Sequence, residues 1–151
     1  VMERVPAVRK LVQVAIRDYS RAERRYAEAL GARAACFYGH ALFGWKAEGV
    51  PFREVCERVL AELPRNVYVS FDIDGLDPPY CPSTGTPVPG GLSFDEVAYL
   101  LEALAASGRR VIGFDLCEVA PGEDGDEWDA NVGARVLYKL CGCCLRSHGL
   151  C

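Results

Sequence analysis

Strand-like and helix-like segments alternate along this chain, and no other feature of the sequence constrains the fold as strongly. Mostly apolar runs typical of buried strands lie at Leu11–Ile16, 34–39, 66–74 and 110–119, and each is followed by apolar residues at helical spacing. This alternation is typical of a parallel sheet covered by helices. We therefore predict an α/β fold with three layers, α/β/α, around a mostly parallel sheet.

Two capping boxes indicate where helices begin. Ser20 with Glu23, and Ser93 with Glu96, have the spacing at which each side chain bonds the other residue's backbone amide. A last helix is predicted from about Asp129 to near the C-terminus. Its inward stripe is predicted to consist of Val132, Val136, Leu137, Leu140, Cys141 and Cys144.

Length and charge limit the class of protein. A chain of 151 residues is close to one domain, and its 50% hydrophobic and 25% charged residues are typical of a globular protein. With 17 basic and 21 acidic side chains the net charge is −4, so we expect no nucleic-acid or membrane partner. The N-terminus has no signal-peptide pattern, and the predicted location is cytoplasmic.

The sequence contains eight cysteines, which we expect to be free thiols in a reducing compartment. Cys141, Cys144, His148 and Cys151 have a spacing that superficially suggests zinc binding. On a continuous helix, however, this spacing places the four side chains along one face, where they do not surround a single ion. We interpret them as part of a helix surface.

Acidic residues end two of the predicted strands. Asp72 and Asp74 end the third strand and Glu118 ends the fourth, and parallel strands bind ligands at their carboxyl ends. Three carboxylates at one edge repel one another unless a cation lies between them, and carboxylate ligands suit magnesium, calcium or manganese. The alternative is that Asp72 and Asp74 only cap the following turn.

One family comparison starts from the short motif at residues 72–75. The sequence DIDG resembles the DxDGT motif of the haloacid dehalogenase phosphatases. That motif has threonine where this chain has Leu76, and in those enzymes it lies near the start of the chain. Both differences count against a phosphatase, which remains the less favoured alternative.

The longer string SFDIDGLDPPYCPSTGTPVPGG, which begins at Ser70, resembles the ureohydrolase family of arginases, agmatinases and formimidoylglutamases. That family has SFDxDxxDP followed by TGTPxxGG. VQVAIRD near the start and the agmatinase-type EVAP at 118–121 extend the resemblance. The residues that match the long motif are Asp72, Asp74, Asp77, Pro78, Thr84, Gly85, Thr86, Pro87, Gly90 and Gly91.

The resemblance implies a manganese-dependent hydrolysis of a guanidino compound, in which hydroxide formed from water attacks the guanidinium carbon and urea leaves. It gives Asp72 and Asp74 the role of catalytic metal ligands in a binuclear manganese (Mn²⁺) centre. It implies that Glu118 binds the guanidinium of the substrate. It also implies that Thr86 lies in the same pocket, where it would orient Glu118. The implied partners are a small guanidino substrate and further copies of the chain in a homo-oligomer.

The family's histidine-containing ligand segments are not found in this sequence, whose two histidines are His40 and His148. We therefore interpret residues 1–151 as the C-terminal half of a single ureohydrolase-like domain. An agmatinase-like amidinohydrolase is the first hypothesis, with this part inactive by itself. A noncatalytic remnant that serves as an assembly module is the alternative.

Overall fold

The computed structural model describes residues 1–150. They form two compact units, Val1–Pro64 and a second unit that begins at Arg65. Each unit contains two parallel strands that alternate with helices, as the α/β prediction requires. Within the described residues the strands form two pairs rather than one continuous sheet. Alternation of strands and helices along the sequence predicts that neighbouring strands are parallel, but it does not predict how many strands one sheet contains.

The first unit contains two strands and three helices: β1 (Leu11–Ile16), α1 (Arg21–Ala29), β2 (Ala34–Tyr38), α2 (Gly39–Ala47) and α3 (Phe52–Ala61). β1 and β2 pair in parallel. The predicted capping box of Ser20 and Glu23 starts α1. Sequence reasoning missed α2, because it follows β2 directly, has no side-chain cap, and its apolar residues do not fall on one face.

The second unit consists of β3 (Asn66–Asp72), α4 (Phe94–Ala106), β4 (Arg110–Cys117) and α5 (Trp128–Ser147). β3 pairs with β4 in parallel, and α5 packs against both β4 and α4. The predicted capping box of Ser93 and Glu96 starts α4. The core of this unit contains Val67, Val111, Val136 and Leu140.

β3 ends earlier than predicted. The strand stops at Asp72, and Ile73–Gly75 forms a turn of 3₁₀ helix. The chain turns here because the Asp72 carboxylate accepts a hydrogen bond from the backbone N–H of Asp74, over 3.2 Å. Asp74 therefore projects from a turn, and the expectation that it ends the strand is wrong.

The inward face of α5 is also narrower than predicted. Leu137 is 43% exposed and Cys141 is exposed, while Cys143, absent from the predicted stripe, is buried. The reason is that α5 buries only the line of side chains facing α4 and β4, and Leu137 and Cys141 lie one position to the side of buried Val136 and Leu140.

The cysteines in residues 1–150 are free thiols. Cys141 and Cys144 lie on α5, as the helix interpretation requires, whereas Cys151 lies outside the described residues. None of the helices in this part of the chain combines the length and apolar character that crossing a membrane requires.

Candidate active site

Three carboxylates lie at the carboxyl edge of the β3–β4 pair. Asp72 is the last residue of β3 and is in register with Cys117, the last residue of β4. Glu118 follows Cys117 directly, and Asp74 lies in the turn after Asp72. The structure thus brings together the three acidic residues that the sequence placed at strand ends, at the edge where parallel sheets bind ligands.

The environment of Asp72 disfavours its negative charge. Partial burial raises the pKa of the Asp72 carboxyl, repulsion from Asp74 and Glu118 raises it further, and the hydrogen bond from the Asp74 amide opposes both effects. A cation bound at this edge would oppose both effects, because it favours the ionised form of the carboxyl. The same hydrogen bond shows that Asp72 also caps the turn, so capping and cation binding are compatible roles for one carboxylate.

The hydroxyl of Thr86 lies against Asp74. Its Oγ1 donates to Oδ2 of Asp74 over 3.1 Å. The resemblance implies that Thr86 orients Glu118, whereas the hydrogen bond of its hydroxyl in the structure is to Asp74. The threonine that contacts Glu118 is Thr84, whose buried side chain donates from Oγ1 to the main-chain carbonyl of Glu118 over 2.9 Å.

Glu118 has an unusual backbone conformation. Its φ is +63°, in the left-handed region, which costs about 1–2 kcal/mol for a residue with a side chain. Gly85 lies against its carboxylate, since a Cβ at this glycine would be 3.3 Å from Glu118 Oε2. Strained backbone held by neighbouring contacts is typical of functional positions, and here it fixes the direction in which the carboxylate leaves the strand end.

The glycines at the end of the motif close the loop behind the site. A Cβ on Gly91 would lie 2.2 Å from the main-chain carbon of Leu76 and 2.4 Å from the nitrogen of Asp77. The backbone N–H of Gly90 donates to Oδ1 of Asp77 over 2.8 Å, and the N–H of Asp77 donates to the carbonyl of Leu92 over 3.0 Å. The two ends of the motif therefore pack backbone against backbone, which only glycine at position 91 permits.

Two buried polar residues near the site were given no role from the sequence. Thr84 is 5% exposed and Asp129 is 1% exposed. Asp129 Oδ2 accepts a hydrogen bond from the backbone N–H of Ser83 over 2.9 Å. Thr84 belongs to the matched motif, whereas Asp129 was predicted to start a helix. Local pattern gives no signal for a contact across 46 residues.

The donors at this edge are suited to a hard divalent cation, because carboxylate oxygens are the ligands that such ions prefer. No group of three or more His, Cys, Asp or Glu side chains within residues 1–150 is arranged to hold a metal ion. His40 stacks on Tyr38, and Nε2 of His148 lies 3.0 Å from the carbonyl of Val111, near the start of β4.

Comparison with known proteins identifies the family. The Arginase family profile matches residues 1–142. N(1)-aminopropylagmatine ureohydrolase of Thermus thermophilus is 39% identical over 132 residues, which are 87% of this chain and 41% of that protein. Agmatinase of Proteus mirabilis is 42% identical over 84 residues, 56% of this chain and 26% of that protein.

Solved structures agree with the sequence match. Arginase from Bacillus caldovelox superposes with a TM-score of 0.74 at 27% identity, covering 89% of this chain and 44% of that one. The α/β prediction is thereby confirmed as a part of the arginase fold, and the phosphatase alternative is not supported. The chain spans less than half the length of these relatives. Because the family profile covers most of its residues, the chain belongs to the arginase family.

Proposed function

We propose that this chain carries part of the active site of a manganese-dependent amidinohydrolase, which releases urea from a guanidino compound. The observation that carries the proposal is the group of three carboxylates at the β3–β4 edge, in which repulsion from Asp74 and Glu118 helps to raise the pKa of Asp72. The names of the relatives, ureohydrolase and agmatinase, supply the class of reaction.

Asp72 and Asp74 are the residues that would hold manganese. The Thr86 hydroxyl donates to one oxygen of Asp74 and limits its rotation, while the Asp74 amide does the same for Asp72. When bound, manganese would lower the pKa of water, so that a hydroxide nucleophile for the guanidinium carbon is available at neutral pH. The remaining ligands have to come from residues outside 1–151, and for that reason we expect this part of the protein to be inactive alone.

Glu118 would bind the guanidinium of the substrate. An ionised carboxylate and a guanidinium form two parallel charge-assisted hydrogen bonds, which fix the plane of the guanidinium as well as its position. The hydrogen bond from Thr84 and the contact with Gly85 hold Glu118 in place for that role. Catalysis gains from such positioning because the reacting carbon is presented to the nucleophile in one orientation.

The substrate class that we favour is agmatine and its N-substituted derivatives. The EVAP sequence at 118–121 and the names of the Thermus and Proteus relatives support this choice. A homo-oligomeric state and a cytoplasmic location are the remaining predictions about the protein as a whole.

The test is urea release by the full chain, meaning residues 1–151 together with the segment proposed to supply the remaining metal ligands. It is assayed with manganese on agmatine, aminopropylagmatine, arginine and guanidinobutyrate. Formimidoylglutamate is assayed separately through release of formamide. We expect kcat/KM to be highest for an agmatine-type compound, and Asp72→Asn serves as the inactive control. If a pure, folded, manganese-loaded protein released neither urea nor formamide from these compounds, the amidinohydrolase proposal would be wrong.

A noncatalytic assembly module is the second candidate, and one observation favours it: within residues 1–150 the site lacks a complete group of metal ligands. Under this alternative Asp72 acts only as a turn cap. Size-exclusion chromatography together with the assay separates the two candidates. A stable oligomer without hydrolase activity would support the module, whereas activity that Asp72→Asn abolishes would exclude it.

A further inference from the structure

We infer that Asp129 is a positioning residue that holds the segment 83–86, and through it Glu118 and Asp74, in the arrangement that the proposed function requires. The inference rests on that proposed function for its consequence in catalysis. It assigns a role to a residue that lies on α5, outside the matched motif and outside the strand ends.

Asp129 is buried in an unusual way. It lies in the first turn of α5 with 1% of its surface exposed. Its Oδ2 accepts from the N–H of Ser83 over 2.9 Å, and its Oδ1 is buried without a hydrogen-bond partner in the described part of the chain. Burying a carboxylate is unfavourable unless its oxygens are bonded. An exposed acidic residue would stabilise the start of the helix as well without that loss, so helix stability does not explain Asp129.

The residues that follow Ser83 contact both the proposed substrate-binding residue and a proposed metal ligand. Thr84 donates to the main-chain carbonyl of Glu118, and Gly85 lies against the Glu118 carboxylate. Thr86 donates to Asp74. Three consecutive residues therefore contact the proposed substrate ligand and one proposed metal ligand.

Asp129 fixes this segment at its first residue. The Ser83 amide is the point where the segment is tied to α5, and α5 itself packs against β4, the strand that leads into Glu118. The hydrogen bond thus closes a ring of contacts from α5 through the segment to Glu118 and along β4 back to α5. Loss of this one bond frees the segment without removing any residue that contacts substrate or metal.

Hydrogen exchange measured on the full chain in EDTA tests the positioning role independently of metal and catalysis. The Ser83 amide donates to Asp129 and the Thr84 amide donates to the carbonyl of Cys81. Asp129→Ala should speed exchange of these two amides by about tenfold or more, the effect expected when a hydrogen bond to a carboxylate is lost. Asp129→Asn keeps a carbonyl oxygen that can accept from Ser83, so it should keep the amides protected. Val136→Ala, a buried change two turns further along α5, is the control for general loss of stability.

Equal exchange of the Ser83 and Thr84 amides in Asp129→Ala and Val136→Ala would overturn the inference. If Asp129→Ala does not fold, exchange of the Ser83 amide is measured in the unmodified full chain. A rate as fast as that of an amide in an exposed loop would contradict the hydrogen bond on which the inference depends.

Kinetics of the manganese-loaded full chain then tests the consequence. Asp129→Ala should raise KM by about tenfold or more with a smaller change in kcat, because the displaced residue is the proposed guanidinium ligand. Asp129→Asn should restore KM, which a purely structural defect would not do. An unchanged KM in Asp129→Ala would overturn the link to the site. If the unmodified full chain releases no urea, the proposed function is contradicted. The hydrogen-exchange measurement would still test the positioning role of Asp129 in that case.

Discussion

The buried hydroxyl of Thr84 donates a 2.9 Å hydrogen bond to the main-chain carbonyl of Glu118, the residue whose φ is +63°. The contact joins a loop threonine to a strained position at the end of a strand. It helps to offset the cost of the left-handed conformation, and in return the conformation directs the Glu118 carboxylate toward Gly85. Position 118 is therefore expected to affect stability and function in opposite directions.

Asp72→Asn and Asp74→Asn should each lower the manganese affinity of the full protein by roughly 100-fold or more, because each removes an anionic ligand from a hard-ion site. The side-chain amide oxygen introduced by Asp72→Asn can still accept from the Asp74 backbone N–H, so that variant keeps the turn. Metal content after dialysis measures the effect, and Asp95→Asn, an exposed change on α4, is the control. Unchanged manganese content in both variants would support the turn-capping interpretation.

Glu118→Gln should leave the manganese content unchanged and lower kcat/KM by roughly 30-fold or more, since the guanidinium loses a charged hydrogen-bond partner at a cost of ~1.5–3 kcal/mol. Steady-state kinetics and metal analysis on the same preparation measure both quantities. Loss of metal with full activity per remaining ion would show that Glu118 is a metal ligand instead.

Glu118→Gly should raise the melting temperature by roughly 2 °C while abolishing activity, because glycine adopts φ near +63° without strain. Asp124→Gly is a matched control, since Asp124 also has a positive φ, +54°, but is not among the proposed site residues. It should give a similar gain in stability with activity unchanged. A lower melting temperature for Glu118→Gly would mean that the glutamate side chain stabilises the fold more than its backbone strain destabilises it.

Gly91→Ala should reduce the free energy of unfolding by roughly 3 kcal/mol, because its new methyl group would overlap the main chain of Leu76 and Asp77. Chemical denaturation measures the change. Gly142→Ala on α5 is the control, since its Cβ would meet nothing within 4 Å, and it should gain about 0.5–1 kcal/mol. Equal stabilities of the two variants would contradict the close packing at position 91.

Cys143 should react with iodoacetamide about 100-fold more slowly than an ordinary exposed thiol at pH 8. Burial raises the pKa of its thiol to about 11, so the reactive thiolate is scarce until the pH approaches that value. Its rate should therefore keep rising above pH 9. Peptide mass spectrometry follows the labelling, with exposed Cys141 on the same helix as the fast control. Equal labelling rates at pH 8 would contradict the burial of Cys143.

The sequence predicted those parts of the fold that depend on local pattern. The capping boxes at Ser20 and Ser93 correctly start α1 and α4, and the strand–helix alternation correctly predicts parallel strands. α2 was missed because its apolar residues do not form one stripe. Turn capping by Asp72 was open only as an alternative from the sequence, because the hydrogen bond that turns the chain depends on side-chain geometry.

The sequence predicted the carboxylates of the candidate site, but it did not predict the hydrogen bonds that hold them in position. Asp72, Asp74 and Glu118 were identifiable because each lies where an apolar run ends. The contacts of Thr84 and Thr86 could not be predicted, since two threonines two residues apart have the same chemistry. Only the path of the loop decides which acidic residue each threonine contacts. Asp129 gave no signal because its partner Ser83 is distant in sequence.

The backbone contact between Gly91 and Leu76 has a consequence for how such proteins evolve. Any side chain at position 91 would destabilise the closed loop, whether or not a reaction takes place in front of it. Selection for a folded chain is thus sufficient to preserve that glycine of the motif in a descendant whose carboxylates have been replaced. If the proposed function is correct, searches for hydrolases within genomes should weigh the acids at 72, 74 and 118 above the glycines when they assign activity.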